Sequence, residues 1–421
     1  MFCYSRDILS KWLKHISTLG FLLFIIIAFT ILLKTFVSQQ QQETRPQAAE
    51  GSRSDYYVSP SGSDSNDGSQ AHPFATLQKA ADKATPGTTV RVAPGLYTKP
   101  IISKVSGTAN ARITFLSEVK WGAKINVAHT GNLEEEWLNE GSYVTIEGFD
   151  IRGNGNEWSG INDWKGSFVQ IIGNRIHDMS FSGCWPGAGI LDESPAIHDN
   201  DIIGNVVFNI GPSTSCNLDH GIYHSDVGGH IWNNIVFSTA GWGIHCWSSI
   251  GAGTVANNLV FGNRRGGIII GADPPKVADN FIVSNNIAVY NANYGIWETG
   301  SVGKNNKYYN NLVYGNASGG FSLQNSKDQG TITADPQFVN YQPDGSGDYH
   351  LKSTSPAIDA GTSICAPATD FDGNPRPQGK GVDIGPYEYH SSSLTSTGSS
   401  GNSFRYPVLC INGWKAVGPI Y

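Results

Sequence analysis

The sequence predicts an all-β solenoid, a parallel β-helix, from two repeating patterns and a composition that agrees with them. Gly-apolar pairs recur six times, starting at Gly189, Gly221, Gly243, Gly267, Gly295 and Gly320. A second series travels with them, an Asn that leads into a short strand-like run, at Asn174, Asn205, Asn234, Asn258, Asn286 and Asn311. Repetition at intervals of roughly 20–50 residues means stacked structural units. Turns rich in Gly and Asn, joined by short β-branched runs, make each unit a coil of strands rather than a pair of helices. With 50 Gly and only 15% charged residues among 421, the chain is suited to turns and strands and long enough for one extended solenoid. A net charge of -7 offers no footprint for nucleic acid or anionic lipid.

Taken in order, residues 1–18 form a basic leader with Arg6, Lys11 and Lys14, followed by an apolar segment, 19–37, interrupted by Lys34. Basic first and apolar second reads as a signal-anchor that holds the solenoid outside the cytoplasm as a single-pass membrane protein. The alternative is a cleaved signal and a secreted, extracellular product. Residues 38–54 are a polar tether. Residues 55–87 are an N-terminal cap: a strand at YYV, a turn-rich loop, and a short amphipathic helix in FATLQKAADKA. Such a helix covers the raw edge that a solenoid otherwise exposes. Within the loop, the order of Asp64, Asn66 and Asp67 departs from the EF-hand pattern and reads as a structural turn. The coils occupy 88–330 and become regular after Ile172. A Pro-rich C-terminal cap (331–390), a Ser/Gly linker (391–403) and a short tail (404–421) complete the chain.

The repeat places side chains. The residue after each glycine (Ile190, Ile222, Ile244, Ile268, Ile296 and Phe321) is apolar, so that column points inward. Side chains alternate along a strand, which turns Leu191, Tyr223, His245, Ile269, Trp297 and Ser322 outward. Glu193, Trp247 and Thr299 follow on the same face, while Asp219 and Arg265, two residues before their glycines, are expected to face out as well. His224 falls inward and reads as a satisfied core histidine, and Cys246 as a buried thiol. The Asn series reads as an internal amide ladder. Cys184 and Cys216 each precede a repeat glycine by five residues, so they stack on neighbouring coils about 4.8 Å apart, within reach of a disulfide. Cys365 and Cys410 are a further pair that nothing in the spacing fixes. The Asn-to-Gly interval is 15 and 16 residues in the first two regular coils and 9 in the next four. The extra loops, SFSGCWPGA and GPSTSCNLD, together with a later insertion GADPPKVADN, wall off a working face.

The segment YYVSPSGSDSNDGS…HPFATLQKAADKATPGTTVRVAPGLY resembles the N-terminal segment of right-handed β-helix proteins of the pectate-lyase-like superfamily. SPAIDAGT…DFDGNPRPQGKGVDIGPYEY is similar to the C-terminal cap of many secreted members. The resemblance covers about residues 55–389. It implies a right-handed helix and a polysaccharide partner, acidic polymers included, but no single reaction, since the superfamily holds lyases, hydrolases, epimerases and non-catalytic binders.

Candidate chemistry follows from the outward columns. His245, Tyr223 and His220 are the acid–base candidates, as needed to remove the proton beside a sugar carboxylate in a lyase or epimerase. Arg265 suits the carboxylate, because a guanidinium matches it in a bidentate fork. Asp219 is positioned to orient a histidine, Glu193 to contact substrate, and Trp247 and Trp297 to stack on sugar rings. The bland reading of the same residues is a covered sheet face packed under loops. Glu193 and Asp219 also suggest an alternative, a glycoside hydrolase, which needs two carboxylates. A non-catalytic carbohydrate-binding surface is the third reading. No cofactor is indicated; calcium stays open, although the calcium-plus-Arg/Lys arrangement of pectate lyases is not evident, nor are the motifs of polygalacturonases or alginate epimerases.

Overall fold

The structure is a computed structural model that describes residues 55–390, apart from 130–134, 156, 180–182, 185, 194–197 and 249–250. The leader, the apolar segment, the tether, the linker and the tail, with Cys410, lie outside the described residues. Among the described residues no helix is long and apolar enough to cross a membrane.

Three parallel sheets, of 11, 9 and 9 strands, run the length of a β-helix, and each coil contributes one strand to each sheet in turn. The helix expected in the cap spans Leu77–Lys83 (α1), with Thr76 as its N-cap accepting from the Lys79 N–H. Its Leu77, Ala80 and Ala81 are buried against the first coils. Asp64 accepts from the backbone N–H groups of Ala75 and Thr76 and from the Thr76 hydroxyl, so this loop aspartate is spent on fixing the start of α1.

The sheet that carries the working face contains the strands Gly187–Asp192 (β1), Asp219–His224 (β2), Trp242–Trp247 (β3), Gly266–Ala272 (β4) and Tyr294–Gly300 (β5). Register stacks Ile190, Ile222, Ile244, Ile268, Ile296 and Phe321 in one column, the first five fully buried. The repeat glycines are required by space: a Cβ on Gly221 would collide with Val236 Cγ1 and the Gly243 carbonyl. The Asn ladder forms as expected. Asn258, for example, accepts from the Asn234 N–H and amide and donates to the Ile231 carbonyl and to Asn286. A second, unanticipated ladder joins Thr239, Asn263, Asn291 and Asn316. The Asn316 amide also donates to the Ala288 carbonyl.

Residues 331–390 pack along the flank of the coils. A hairpin, Phe338–Asn340 with Asp348–Leu351, and the following loop bury Phe338, Tyr349, Leu351, Ile384 and Tyr387 against Ile235, Phe237, Leu259, Phe261 and Ile287. Turn asparagines of three coils donate to this segment: Asn233 to the Thr369 carbonyl, Asn257 to Asp383 and Gly385, Asn285 to Thr362. Arg376, buried, pairs with the buried Glu388 and donates to Asn233.

Candidate functional site

The outward column holds. Leu191, Tyr223, His245, Ile269, Trp297 and Ser322 are register partners on successive strands. Over them lies a cleft of about 1100 Å³ that brings together Glu193, His220, Tyr223, His245, Trp247, Arg265 and Trp297. Its walls come from the long loops, through Pro186, Asn217 and Leu218, and those loops are joined by the Cys184–Cys216 disulfide, with a Cα–Cα distance of 5.4 Å. Another cleft, about 530 Å³, lies between Lys120, Glu147 and Phe371 and holds none of the candidate residues.

Asp219 corrects the expectation. It is fully buried, does not line the cleft, and both carboxylate oxygens lack a hydrogen-bond partner. Burial pushes its pKa up to about 7. The cause is a break in alternation at the repeat glycine. Register pairs Gly187 with Asp219, Ala188 with His220 and Ile190 with Ile222 while skipping the glycines. His220 and Tyr223, three residues apart, therefore both face the cleft, and Asp219 turns away from it. It orients neither histidine.

His220 is oriented by backbone instead. The Trp242 N–H donates to His220 Nδ1 at 3.1 Å, so that nitrogen carries no proton. The proton of His220 then sits on Nε2, which donates to His245 Nδ1 at 2.7 Å. His245 in turn holds its own proton on Nε2. Both rings are buried. Burial, aided by the Arg265 charge, pushes the His220 pKa down to about 3, and burial beside His220 holds His245 well below the usual histidine range. His245 thus stands as a neutral N–H donor. Of the two roles open to an acid–base histidine, this arrangement leaves it the donor's, because its one acceptor nitrogen is already engaged.

Tyr223 lies against both imidazoles, with ring centroids 5.7 Å from His220 and 5.2 Å from His245. Burial, with the Glu193 and Asp273 charges nearby, raises its pKa to about 12 and keeps the phenol protonated. Glu193 is pushed up by burial and by Glu135. Arg265 lies in the cleft with no carboxylate partner among the described residues, and its buried Nε has no acceptor. The aromatic rings rest on glycines: a Cβ on Gly266 would strike the Trp242 ring, and one on Gly271 the Trp247 ring. Trp242 is buried and sits 5.4 Å from Trp297, while Trp247 and Trp297 remain half-buried.

Sequence reasoning missed two cleft residues. Asp273, in the insertion after β4, accepts from Trp247 Nε1 at 2.9 Å. Trp158, on an irregular coil, presents a buried indole N–H without an acceptor. The insertion was the signal for the first; nothing in the repeat signals the second.

Among the described residues, two groups have the proximity of metal ligands. Cys184 and Cys216, beside Asp219, are consumed by their disulfide. The buried trio Asp192, His224 and Asp226 is an internal ion pair, with His224 Nδ1 2.7 Å from Asp192 and Nε2 2.9 Å from Asp226. Burial opposes the charge on His224, but the two carboxylates outweigh it and raise its pKa. Both ring nitrogens are occupied, which fits a core histidine. Cys246 is a buried free thiol.

Residues 56–333 match the family described as Pel9A-like, right handed beta helix region. The chain belongs to that family. A crystal structure of the pectate lyase Pel9A superposes on this Pel9A-like chain with a TM-score of 0.60 at 17% identity, covering 80% of this chain and 96% of that one. A rhamnogalacturonan lyase matches more faintly, with a TM-score of 0.46 at 16% identity over 72% of this chain and 96% of that one. At these identities the likeness is one of fold. Bacillus subtilis (strain 168) YwoF, described as uncharacterized, is 36% identical over 107 residues, which span 24% of this chain and 23% of that protein.

Proposed function

We propose that this Pel9A-like protein acts outside the cytoplasm on an acidic polysaccharide, removing the proton beside a uronate carboxyl group as a lyase or an epimerase. The observation that carries this reading is Arg265, a cation facing the cleft without a carboxylate partner among the described residues and with a buried N–H left unmatched. A substrate carboxylate supplies what that site lacks, and its neutralisation is what makes the adjacent C–H acidic.

The remaining groups divide the work. The proton passes from carbon to solvent in the cleft, because neither imidazole keeps a free acceptor nitrogen and Glu193 lies at the opposite edge of the sheet from Arg265. In an elimination, that electron pair forms the double bond and the glycosidic C–O bond breaks. The leaving oxygen takes the phenolic proton of Tyr223, which solvent then restores. His245 donates from Nε2 to the substrate and is held in that state by His220. Trp247 and Trp297 stack on flanking sugars. Chemistry of this kind agrees with the solved pectate lyase that shares this fold.

The test is a screen of uronate polysaccharides, with R265Q as the control. Ultraviolet absorbance from an unsaturated product that R265Q fails to form supports the lyase. Inverted uronate stereochemistry without chain cleavage supports the epimerase. A second reading, glycoside hydrolysis, draws on the two cleft carboxylates, Glu193 and Asp273. It predicts reducing ends without that absorbance. Binding without turnover would leave a carbohydrate-binding surface.

A further inference from the structure

We infer that the cleft is built for a heteropolysaccharide in which an acidic sugar alternates with neutral ones, rather than for a homopolymer of uronates. The inference rests on the uronate reading above and adds the substrate class. Its basis is where the charges lie. Arg265 is the one Arg or Lys lining the cleft among the described residues. It precedes β4, at the edge of the sheet where strands enter. Glu193 follows β1 and Asp273 follows β4, both at the edge where strands leave. The two imidazoles add no positive charge, because the bond from the Trp242 N–H fixes His220, and through it His245, in neutral form.

From β1 to β5 the cleft crosses four strand spacings, roughly 19 Å at about 4.8 Å each, enough for several sugar units. A homopolyuronate turns about its own axis from unit to unit and so carries carboxylates toward both edges. One set would meet Arg265. The other would meet Glu193 and Asp273, and like charges brought together in a half-buried site are costly. A chain with a single uronate between neutral sugars avoids that clash. Its neutral units fit what the rest of the cleft offers: the faces of Trp247 and Trp297, and the unmatched indole N–H of Trp158, which suits a sugar hydroxyl.

The test uses the full chain and compares two alternating polymers, hyaluronan and a rhamnogalacturonan backbone, with two homopolyuronates, polygalacturonate and alginate, each with chelator and with added calcium. We expect an alternating polymer to be bound and turned over with a kcat/KM about tenfold or more above either homopolymer in the presence of chelator. D273N should narrow that gap by tightening homopolyuronate binding. A homopolyuronate processed as well as or better than both alternating polymers, or only once calcium bridges it to the carboxylates, overturns the inference and leaves the uronate reading standing. D273N that weakens both classes equally also overturns it. Failure to bind any of the four polymers overturns both readings.

Discussion

His245 is where one hydrogen changes the chemistry assigned to a side chain. The Trp242 N–H fixes His220, and His220 fixes His245 as a donor through Nε2. His245→Gln, whose amide N–H reaches a similar place, should therefore keep a measurable part of the turnover that His245→Ala loses. Equal loss in both variants would point to a base instead. The same pairing keeps both rings neutral, so kcat/KM should show no histidine inflection between about pH 5 and 8. Asp219 gives a stability prediction of definite sign. Its folded pKa of about 7 lies above the unfolded value of 3.8, so the native state holds the extra proton between those limits. Stability contributed by the protonated acid falls as pH rises through that window and is gone above it. Asp219→Asn should then be more stable above pH 7, by on the order of 1–3 kcal/mol and with a higher thermal midpoint, and change little below pH 4. A midpoint difference that does not vary with pH would refute this.

At the scale of the coil, most of the fold was legible. The inward isoleucines, the glycines with no room for a Cβ and the Asn ladder all repeat, and repetition is visible in a sequence. Asn258→Ala would take away the acceptor of the Asn234 N–H and of its side-chain amide inside the core. We expect a loss of about 2–4 kcal/mol, seen as a lower denaturation midpoint. The long loops were legible too, because their lengths interrupt the period, and they led to the disulfide and to most of the cleft. What escaped was local. Strict alternation counted through the repeat glycine placed Asp219 outward, whereas the chain breaks alternation at that residue. The His220–His245 bond depends on ring geometry and a backbone N–H, which no spacing encodes. Trp158 belongs to a coil whose strands do not follow the regular repeat.

Across the whole molecule, the C-terminal segment spans several coils on a sheet different from the one that forms the cleft. Its anchor is the buried Arg376–Glu388 pair, and Arg376 also grips Asn233 and the Gly385 and Pro386 carbonyls. Removing one partner of a buried pair strands the other charge, at a cost of about 3–5 kcal/mol. Arg376→Ala should speed hydrogen exchange at Asn233, Asn257 and Asn285 well before it affects the cleft strands. Uniform loss of protection over the whole solenoid would show that the segment is not a separable support.

The account stands on the claim that Arg265 recognises a sugar carboxylate so that the neighbouring proton can leave. The most direct measurement compares an acidic polysaccharide turned over by the protein with the same polymer after its carboxyl groups have been reduced to alcohols. With the reduced polymer, unsaturated product or epimerised units should fall to background and binding should weaken to the level of R265Q with the native polymer. Equal turnover of the native and reduced polymers, or an R265Q protein as active as the parent on the native one, would contradict the account.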